Sequence, residues 1–364
     1  MKYIFKSKVY SIFFFVIDVI CSLFYLPLKL FKKPPDNIKN ILIIRLDHTG
    51  DVVFSTSIPQ NLKNHYNHSK ITFLVSHSTR DIVINNPFVD EIICYDAPWF
   101  TNSTQNFKNI LMLIKKLRAY KFDLGIDLRG DFRHILIMAL SGIQYKVGYG
   151  ITGGGFFLEK EVKYRQNVHT AEHNYDILNA LGIDVIVRKP QIYTNQNKPS
   201  NLLEFEHSII VHPYANYSSK NWLDERFARL IDTLSENYGR KVILVGSDKD
   251  ISRIDNLKKL CNSKPINIAG KTLLTTLFEI CKKSKLFVGV DSGPAHIAAA
   301  TGIPTFVLFS STNKSSEWKP IGDKVYTIEK DIDCQNCQKL NCTHNTCMEL
   351  ISVEDVLSKI KEVI

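Results

Sequence analysis

Three short stretches carry side chains able to do chemistry at spacings a chain can exploit. The run ILIIRLDHTGDVVFS (41–55) breaks from aliphatic residues into Asp47, His48, Thr49, Gly50 and Asp51, then turns apolar again. It is too short to span a membrane and rich in β-branched residues, so it reads as a buried parallel strand feeding a helix with helical spacing at Val53, Ser57 and Leu62 and Pro59 as a blemish. Turns at the carboxyl ends of parallel strands are where open α/β sheets bind ligands. A carboxylate there can take a proton from a bound hydroxyl. Asp51 is the candidate, and Asp47, closer to the strand, reads as a brace for the turn.

The second stretch is LFVGVDSGPAHIAAATGIPTFVLF (286–309). Leu286 to Val290 reads as a strand, Asp291, Ser292 and Gly293 as the turn, and Pro294 takes the first helical position, where a missing N–H costs nothing. A Ser-Gly turn entering a helix aims backbone N–H groups at the positive end of the helix dipole, a site for phosphate. His296 falls on the first helical turn, as a ligand contact or as a core-edge histidine. The third stretch, HPYANYSSKNWLDERFARL (212–230), ends a strand at His212 and opens a loop of hydroxyl and amide groups carrying Ser218, Ser219 and Lys220. A lysine at such a strand end can neutralise a diphosphate as a point charge.

Weaker signals surround these. In VGSDKD (245–250), Gly246 permits close approach of a ligand, and Asp248 or Asp250 can accept hydrogen bonds from a ribose diol. Arg129 and Arg133, in LRGDFRH, are suited to acidic sugar or phosphate, and Arg133 equally to a solvated helix surface. GYGITG (148–153) matches G-x-G-x-x-G, but no helical periodicity and no fitting acid follow it, so it reads as a mobile loop beside the cleft. Cys334, Cys337, Cys342 and Cys347 form C-x2-C-x4-C-x4-C, with His344 among them. They read either as a structural zinc clip or as redox-labile or packed thiols.

These residues need elements to hold them. The chain has 364 residues, 45% hydrophobic and 23% charged, enough for two α/β domains with an appendage. Strand-like runs at 41–46, 71–75, 91–95, 123–128 and 145–149 alternate with helical patterns, and a closing helix runs from Thr170 to Gly182. After the polar, proline-bearing stretch 188–200 the alternation restarts, which gives a second doubly wound unit facing the first across a cleft. The expected segments are 1–35, a membrane-associating piece; 36–195, a Rossmann-like acceptor domain; and 196–364, a Rossmann-like nucleotide domain including the cysteine cluster.

Residues 1–35 stand apart. An apolar run from Val9 to Leu26 is flanked by lysines at 2, 6 and 8 and at 29, 32 and 33, and no signal-peptidase pattern follows. The run is at the lower limit for a span and contains Asp18, which at the bilayer centre would cost roughly 3 kcal/mol. An in-plane or re-entrant anchor is favoured over a crossing. The segment holds no candidate catalytic group and is expected to be separable from the folded enzyme. The formal charge of +10 suits anionic partners. No Arg-rich arm, zinc-finger spacing or aromatic RNP-like strand points to nucleic acid.

Taken in order, RLDHTGDVVFSTSIPQNLK, IDLRGDFRH, KVGY, HPYANYSSKNW, VGVDSGPAHIAAATGIPTFVLF and the late cysteine cluster resemble glycosyltransferase family 9, the ADP-heptose:lipopolysaccharide heptosyltransferases, from about residue 40 to the end. The resemblance implies an α/β GT-B fold of two Rossmann-like domains. It implies inverting transfer of a heptose from an ADP-activated donor to a lipopolysaccharide core or similar surface glycan, at the cytoplasmic face of the inner membrane, with no cofactor required for catalysis. It puts Asp51 in the place of the general base and matches Lys220, Ser292 and Gly293, with Asp291 and His296, to the diphosphate site. One departure is that the family's frequent H-P-G-A reads His212-Pro213-Tyr214-Ala215 here. The competing expectations are another nucleotide-sugar donor, or a noncatalytic membrane scaffold that binds partners through the cysteine cluster.

Overall fold

The computed structural model describes Tyr3 and residues 8–30, 32–99, 107–194 and 202–364. Lys2 and Lys6, and the expected domain junction at 195/196, lie outside these. The chain divides into two compact units, Met1–Arg188 and Lys189–Ile364.

The first unit holds β1 (Asn40–Arg45), β2 (Lys70–Val75), β3 (Glu91–Cys94), β4 (Leu124–Asp127), β5 (Tyr145–Gly148) and β6 (Lys160–Glu161), in the order β3-β2-β1-β4-β5-β6. Every pairing is parallel. The second unit holds β7 (Ile209–His212), β8 (Val242–Leu244), β9 (Ile266–Asn267), β10 (Leu286–Val290), β11 (Thr305–Leu308) and β12 (Val325–Ile328), in the order β12-β11-β10-β7-β8-β9. It too is parallel throughout. Counted from each unit's own first strand, both sheets run 3-2-1-4-5-6, the doubly wound order.

The sequence dictates this because strands covered on both faces must be continuously apolar. Ile41 to Ile44 are at most 1% exposed, and Val288 and Val290 are fully buried. Truncating such a residue to alanine costs about 2–5 kcal/mol. Each sheet changes winding direction between its first and fourth strands, β1/β4 and β7/β10. The crevice at the carboxyl ends of such a strand pair is the ligand position of the fold. The short strands β6 and β9, of two residues each, escaped the sequence reading because so brief a run carries no periodicity.

Two expectations change. The helix after β1 is two helices, α2 (Thr49–Ser55) and α3 (Ile58–His65), and Pro59 lies in the first turn of α3, where its missing N–H breaks no bond. The proline thus opens a helix rather than spoiling one. The N-terminal segment, expected to be separable, forms α1 (Lys8–Leu30), which packs on the first unit. Asp18 Oδ1 accepts the Gly154 N–H at 2.9 Å, Tyr3 donates to Asp18 Oδ2 at 2.8 Å, and the Tyr25 ring meets Phe156 and Phe157 at 5.5 and 5.4 Å. Among the described residues, no helix is long and apolar enough to cross a membrane.

Candidate functional site

At the β1/β4 switch point a buried ionic network closes around Asp51. Arg45, the last residue of β1, is 4% exposed and Asp51, on the first turn of α2, is 8% exposed. The Arg45 guanidinium donates to Asp51 Oδ1 at 2.8 Å and to the Leu128 carbonyl at 2.5 Å, and its Nε lies 3.2 Å from Asp47 Oδ2. Arg129 also pairs with Asp47. Asp47 therefore braces two arginines, as its position beside the strand suggested, while Asp51 is held by one.

The turn after β4 is built with equal care. Asp127 and His134 are fully buried, with Asp127 Oδ1 3.0 Å from His134 Nδ1. Asp127 Oδ2 accepts the N–H groups of Gly130 at 2.7 Å and Asp131 at 3.1 Å. Gly130 turns the chain at φ +81°, and a Cβ there would meet Tyr149 Cβ at 2.7 Å, so only glycine fits. Asp131 caps the helix Phe132–Leu140 and takes a two-pronged bond from Arg133 at 2.8 and 2.6 Å. Burial works to raise the Asp131 carboxyl, and the Arg133 hydrogen bond and charge overcome it, holding it below the usual range. Arg133 also lies over the Trp99 ring at 4.6 Å. The two arginines expected to serve an acceptor thus stand at the same strand ends as Asp51, each already paired to a carboxylate.

The GYGITG segment is not a free loop. Residues 153–156 are buried, Thr152 Oγ1 accepts the Phe132 N–H at 2.8 Å and donates to the Gly130 carbonyl at 2.9 Å, and Gly154 is bonded to Asp18. Its glycines serve packing: a Cβ on Gly153 would meet the Phe14 ring at 2.4 Å.

At the β7/β10 switch point, Lys220 Nζ lies 2.5 Å from Asp291 Oδ2, with side chains 15% and 6% exposed. Ser292 Oγ is 3.0 Å from Nδ1 of His212, which ends β7. Burial, with Asp250 opposing it, pushes His212 down to about 4, so the imidazole is neutral at neutral pH. Gly293 opens the helix Gly293–Ala300, and His296 is buried on its first turn. Tyr214, the departure from the family's glycine, does not fill the loop. It is 2% exposed, donates to Asp224 Oδ1 at 2.9 Å and packs under Arg253 at 3.6 Å.

Other candidates lie differently. Ser219 is 1% exposed and donates to the carbonyls of Lys339 and Leu340 at 2.7 and 3.0 Å, and Ser218 donates to Asn341 Oδ1 at 3.0 Å. Both hydroxyls thus anchor the cysteine-bearing segment beneath the Lys220 turn. Asp248 is exposed in the turn after β8. Asp250 instead caps its own turn, accepting the Ser247 N–H at 2.8 Å and its hydroxyl at 2.6 Å.

The cysteines do not converge. Cys334 is exposed, Cys337 and Cys342 are half-buried, and Cys347 is 7% exposed in the second unit's apolar core, all with free thiols. Backbone N–H groups of Asn345 and His344 pull the Cys342 thiol down. Among the described residues, no group of three or more histidine, cysteine or acidic side chains is placed to hold a metal ion. The spacing left a zinc clip and redox-labile or packed thiols both open, and Cys347 is a packed thiol of the apolar core.

The sequence reading missed Arg45. Its signal was a cation ending an otherwise aliphatic buried strand, where an unpaired charge would be untenable.

Comparison with known proteins places this geometry. The family model for glycosyltransferase family 9 (heptosyltransferase) matches residues 110–348. The chain is 28% identical over 327 residues to lipopolysaccharide heptosyltransferase 3 of Escherichia coli K12, covering 85% of this chain and 93% of that one. The fold matches the glycosyl transferase family 9 structure from Veillonella parvula with TM-score 0.76 at 22% identity, over 89% of this chain and 96% of that one. It matches E. coli ADP-heptose lps heptosyltransferase II with TM-score 0.74 at 20% identity, over 89% and 98%. With the family model spanning well over half its length, the chain belongs to glycosyltransferase family 9.

Proposed function

We propose that this glycosyltransferase moves a heptose from an ADP-activated donor to a lipopolysaccharide core or related surface glycan, with inversion at the anomeric carbon. The second unit takes the nucleotide and the first takes the acceptor. The observation that carries the reading is the division of charge between the two switch points: a buried carboxylate held by Arg45 in one, a lysine paired with Asp291 beside a helix N-terminus in the other. The relatives named for heptose transfer and for ADP-heptose support the choice of sugar and nucleotide.

In the reaction, the acceptor hydroxyl oxygen attacks the anomeric carbon and its proton passes to Asp51. The bond from that carbon to the diphosphate oxygen breaks on the opposite face, and the electron pair leaves with ADP. Arg45 orients Asp51 through its hydrogen bond to Oδ1, and the carboxylate takes the hydroxyl proton as that proton acidifies in the transition state. Lys220 neutralises the leaving diphosphate, moving from Asp291 to the phosphate oxygens. The backbone N–H groups at Ser292 and Gly293 add the helix dipole. Neutral His212 orients Ser292 without adding a second cation. Arg129 and Arg133 exchange carboxylate partners for acidic groups of the acceptor.

The test is to incubate the purified protein with a panel of nucleotide-sugars and a lipid-linked core acceptor. Mass spectrometry reads the transferred mass, and NMR of the product reads the anomeric configuration. A heptose-mass adduct from ADP-heptose with inverted configuration is expected. Transfer from another nucleotide-sugar alone would overturn the donor, a retained configuration would overturn the single displacement, and no transfer from any donor would favour the scaffold reading.

A further inference from the structure

Helix α1 is turned inside out. Its protein-facing side carries Ser11 and Asp18, both buried, with Phe14, Cys21 and Ser22 half-buried along the same stripe. Its outward side carries Ile12, Phe13, Phe15, Val16, Val19, Ile20, Leu23 and Phe24, all 45–74% exposed. A surface helix of a globular protein normally does the reverse. So large a contiguous apolar face marks an interaction surface.

The contacts fix how the helix lies. Near its middle, Asp18 accepts the Gly154 N–H, and Phe14 meets Phe132 edge-on at 5.5 Å. Farther along, Tyr25 sits on Phe156 and Phe157. Just past its end, Lys32 pairs with Glu159 at 2.9 Å, and Glu159 also holds buried Lys146. A helix held to the first unit along most of its length has one face for another phase and is not surrounded by lipid. Asp18, which would count against membrane residence if it faced lipid, is consumed by these internal bonds.

We propose that the outward face of α1 seats in the surface of an anionic phospholipid bilayer and fixes the acceptor end of the first sheet there. Charge selects lipid over a second copy of the chain. In the sequence, lysines at 2, 6, 8, 29, 32 and 33 flank the apolar run on both sides, a net positive charge that anionic headgroups neutralise and a second copy of the same segment would repel. The link to the site is short. Asp18 holds Gly154, Thr152 of the same segment holds Gly130 and Phe132, and Arg129 beside them pairs with Asp47. The membrane seat is independent of the transferase reading, whereas presentation of a lipid-linked acceptor rests on it.

The full-length protein is floated with phosphatidylcholine vesicles, with and without a minor fraction of phosphatidylglycerol. Binding several-fold stronger to the anionic vesicles, weakened by salt and released by alkaline carbonate, is expected. Joint replacement of Ile12, Val16, Val19 and Leu23 by serine should lower partitioning at least about a hundredfold while the protein keeps the parent's melting temperature. No binding by the parent, or binding that survives the quadruple replacement, overturns the seat. So does resistance to carbonate with a protease-protected N-terminus, which would mean a crossing helix. A vesicle-indifferent dimer dissolved by the same replacements would assign the face to a second copy instead. For the presentation step, Asp18→Ala should leave flotation intact and raise KM for a vesicle-embedded acceptor several-fold, with Asp18→Asn restoring it. An unchanged KM overturns that step without touching the seat, and flotation reports on the seat even if no sugar is transferred.

Discussion

The two sheets share one strand order yet end in opposite chemistry. At the carboxyl ends of β1 and β4 stand four carboxylates, Asp47, Asp51, Asp127 and Asp131, with Arg45, Arg129, Arg133 and His134 fitted between them. At the ends of β7 and β10 the ionic content is one lysine–aspartate pair beside a neutral histidine and a hydroxyl. The first site holds its charges in mutual pairs, which fixes geometry at the expense of freedom. The second, among the described residues, pairs one lysine with Asp291, which the proposed diphosphate would draw away. A doubly wound sheet thus specifies where a ligand binds, and the residues after its first and fourth strands set the charges a ligand meets there.

The strongest way to break this contrast is at Asp51. Asp51→Asn preserves the shape beside Arg45 and removes the base, so kcat should fall about 10²–10⁴-fold. ADP affinity by calorimetry should stay at the parent value, because the nucleotide is assigned to the other unit. Turnover near the parent rate would move the proton to another acceptor.

Lys220→Ala should act on binding as well as rate, weakening ADP and lowering kcat/KM by about a hundredfold. It also strands the buried Asp291 carboxylate, which by itself destabilises a fold. The double variant Lys220→Ala/Asp291→Asn separates the two effects. Its stability should recover and its ADP affinity should not. If affinity recovers as well, the lysine is structural and the second site loses its only assigned cation.

These variants probe the parts of the site that local sequence revealed. Strand runs such as Ile41–Ile44 and Leu286–Val290 were legible because both faces are covered, and Asp291-Ser292-Gly293-Pro294 because a turn entering a helix has its own residue chemistry. What stayed hidden depends on partners distant in sequence. Arg45 meets Leu128, Gly154 meets Asp18, and Ser219 meets Lys339, at separations of 83, 136 and 120 residues. The GYGITG stretch illustrates the cost of this. Its glycines suggested freedom, while α1 and Thr152 hold it in place.

Acid pH tests the two units on common terms, since each buries a neutral histidine. Burial lowers His173 in the first unit and His212 in the second to about 4. The unfolded chain protonates these rings near their ordinary value of about 6.5, while the folded chain resists until about 4. Their contribution is therefore fully present above about 6.5 and is lost as pH falls toward 4. Between pH 7.5 and 5, urea denaturation should show a loss of about 2 kcal/mol for each histidine. His212→Gln should flatten only the dependence that belongs to the second unit. Stability that held or rose across this interval would mean that neither ring is kept neutral.

The smallest effect sharpens the assignment of the serines. Ser219 stands beside Lys220 in the loop whose hydroxyl groups the sequence offered, with that lysine, for binding the nucleotide-sugar, yet its hydroxyl is buried against the Lys339 and Leu340 carbonyls. Ser219→Ala removes one buried donor and leaves those carbonyls less satisfied, at a cost of about 1 kcal/mol in stability. Because the hydroxyl points toward the cysteine-bearing segment, ADP affinity should change less than twofold, whereas protease cleavage between Cys334 and Cys347 should become faster. The reverse pattern, a clear loss of ADP affinity with an unaltered cleavage rate, would return Ser219 to the diphosphate site and make the second unit's anion site broader than one lysine and one turn.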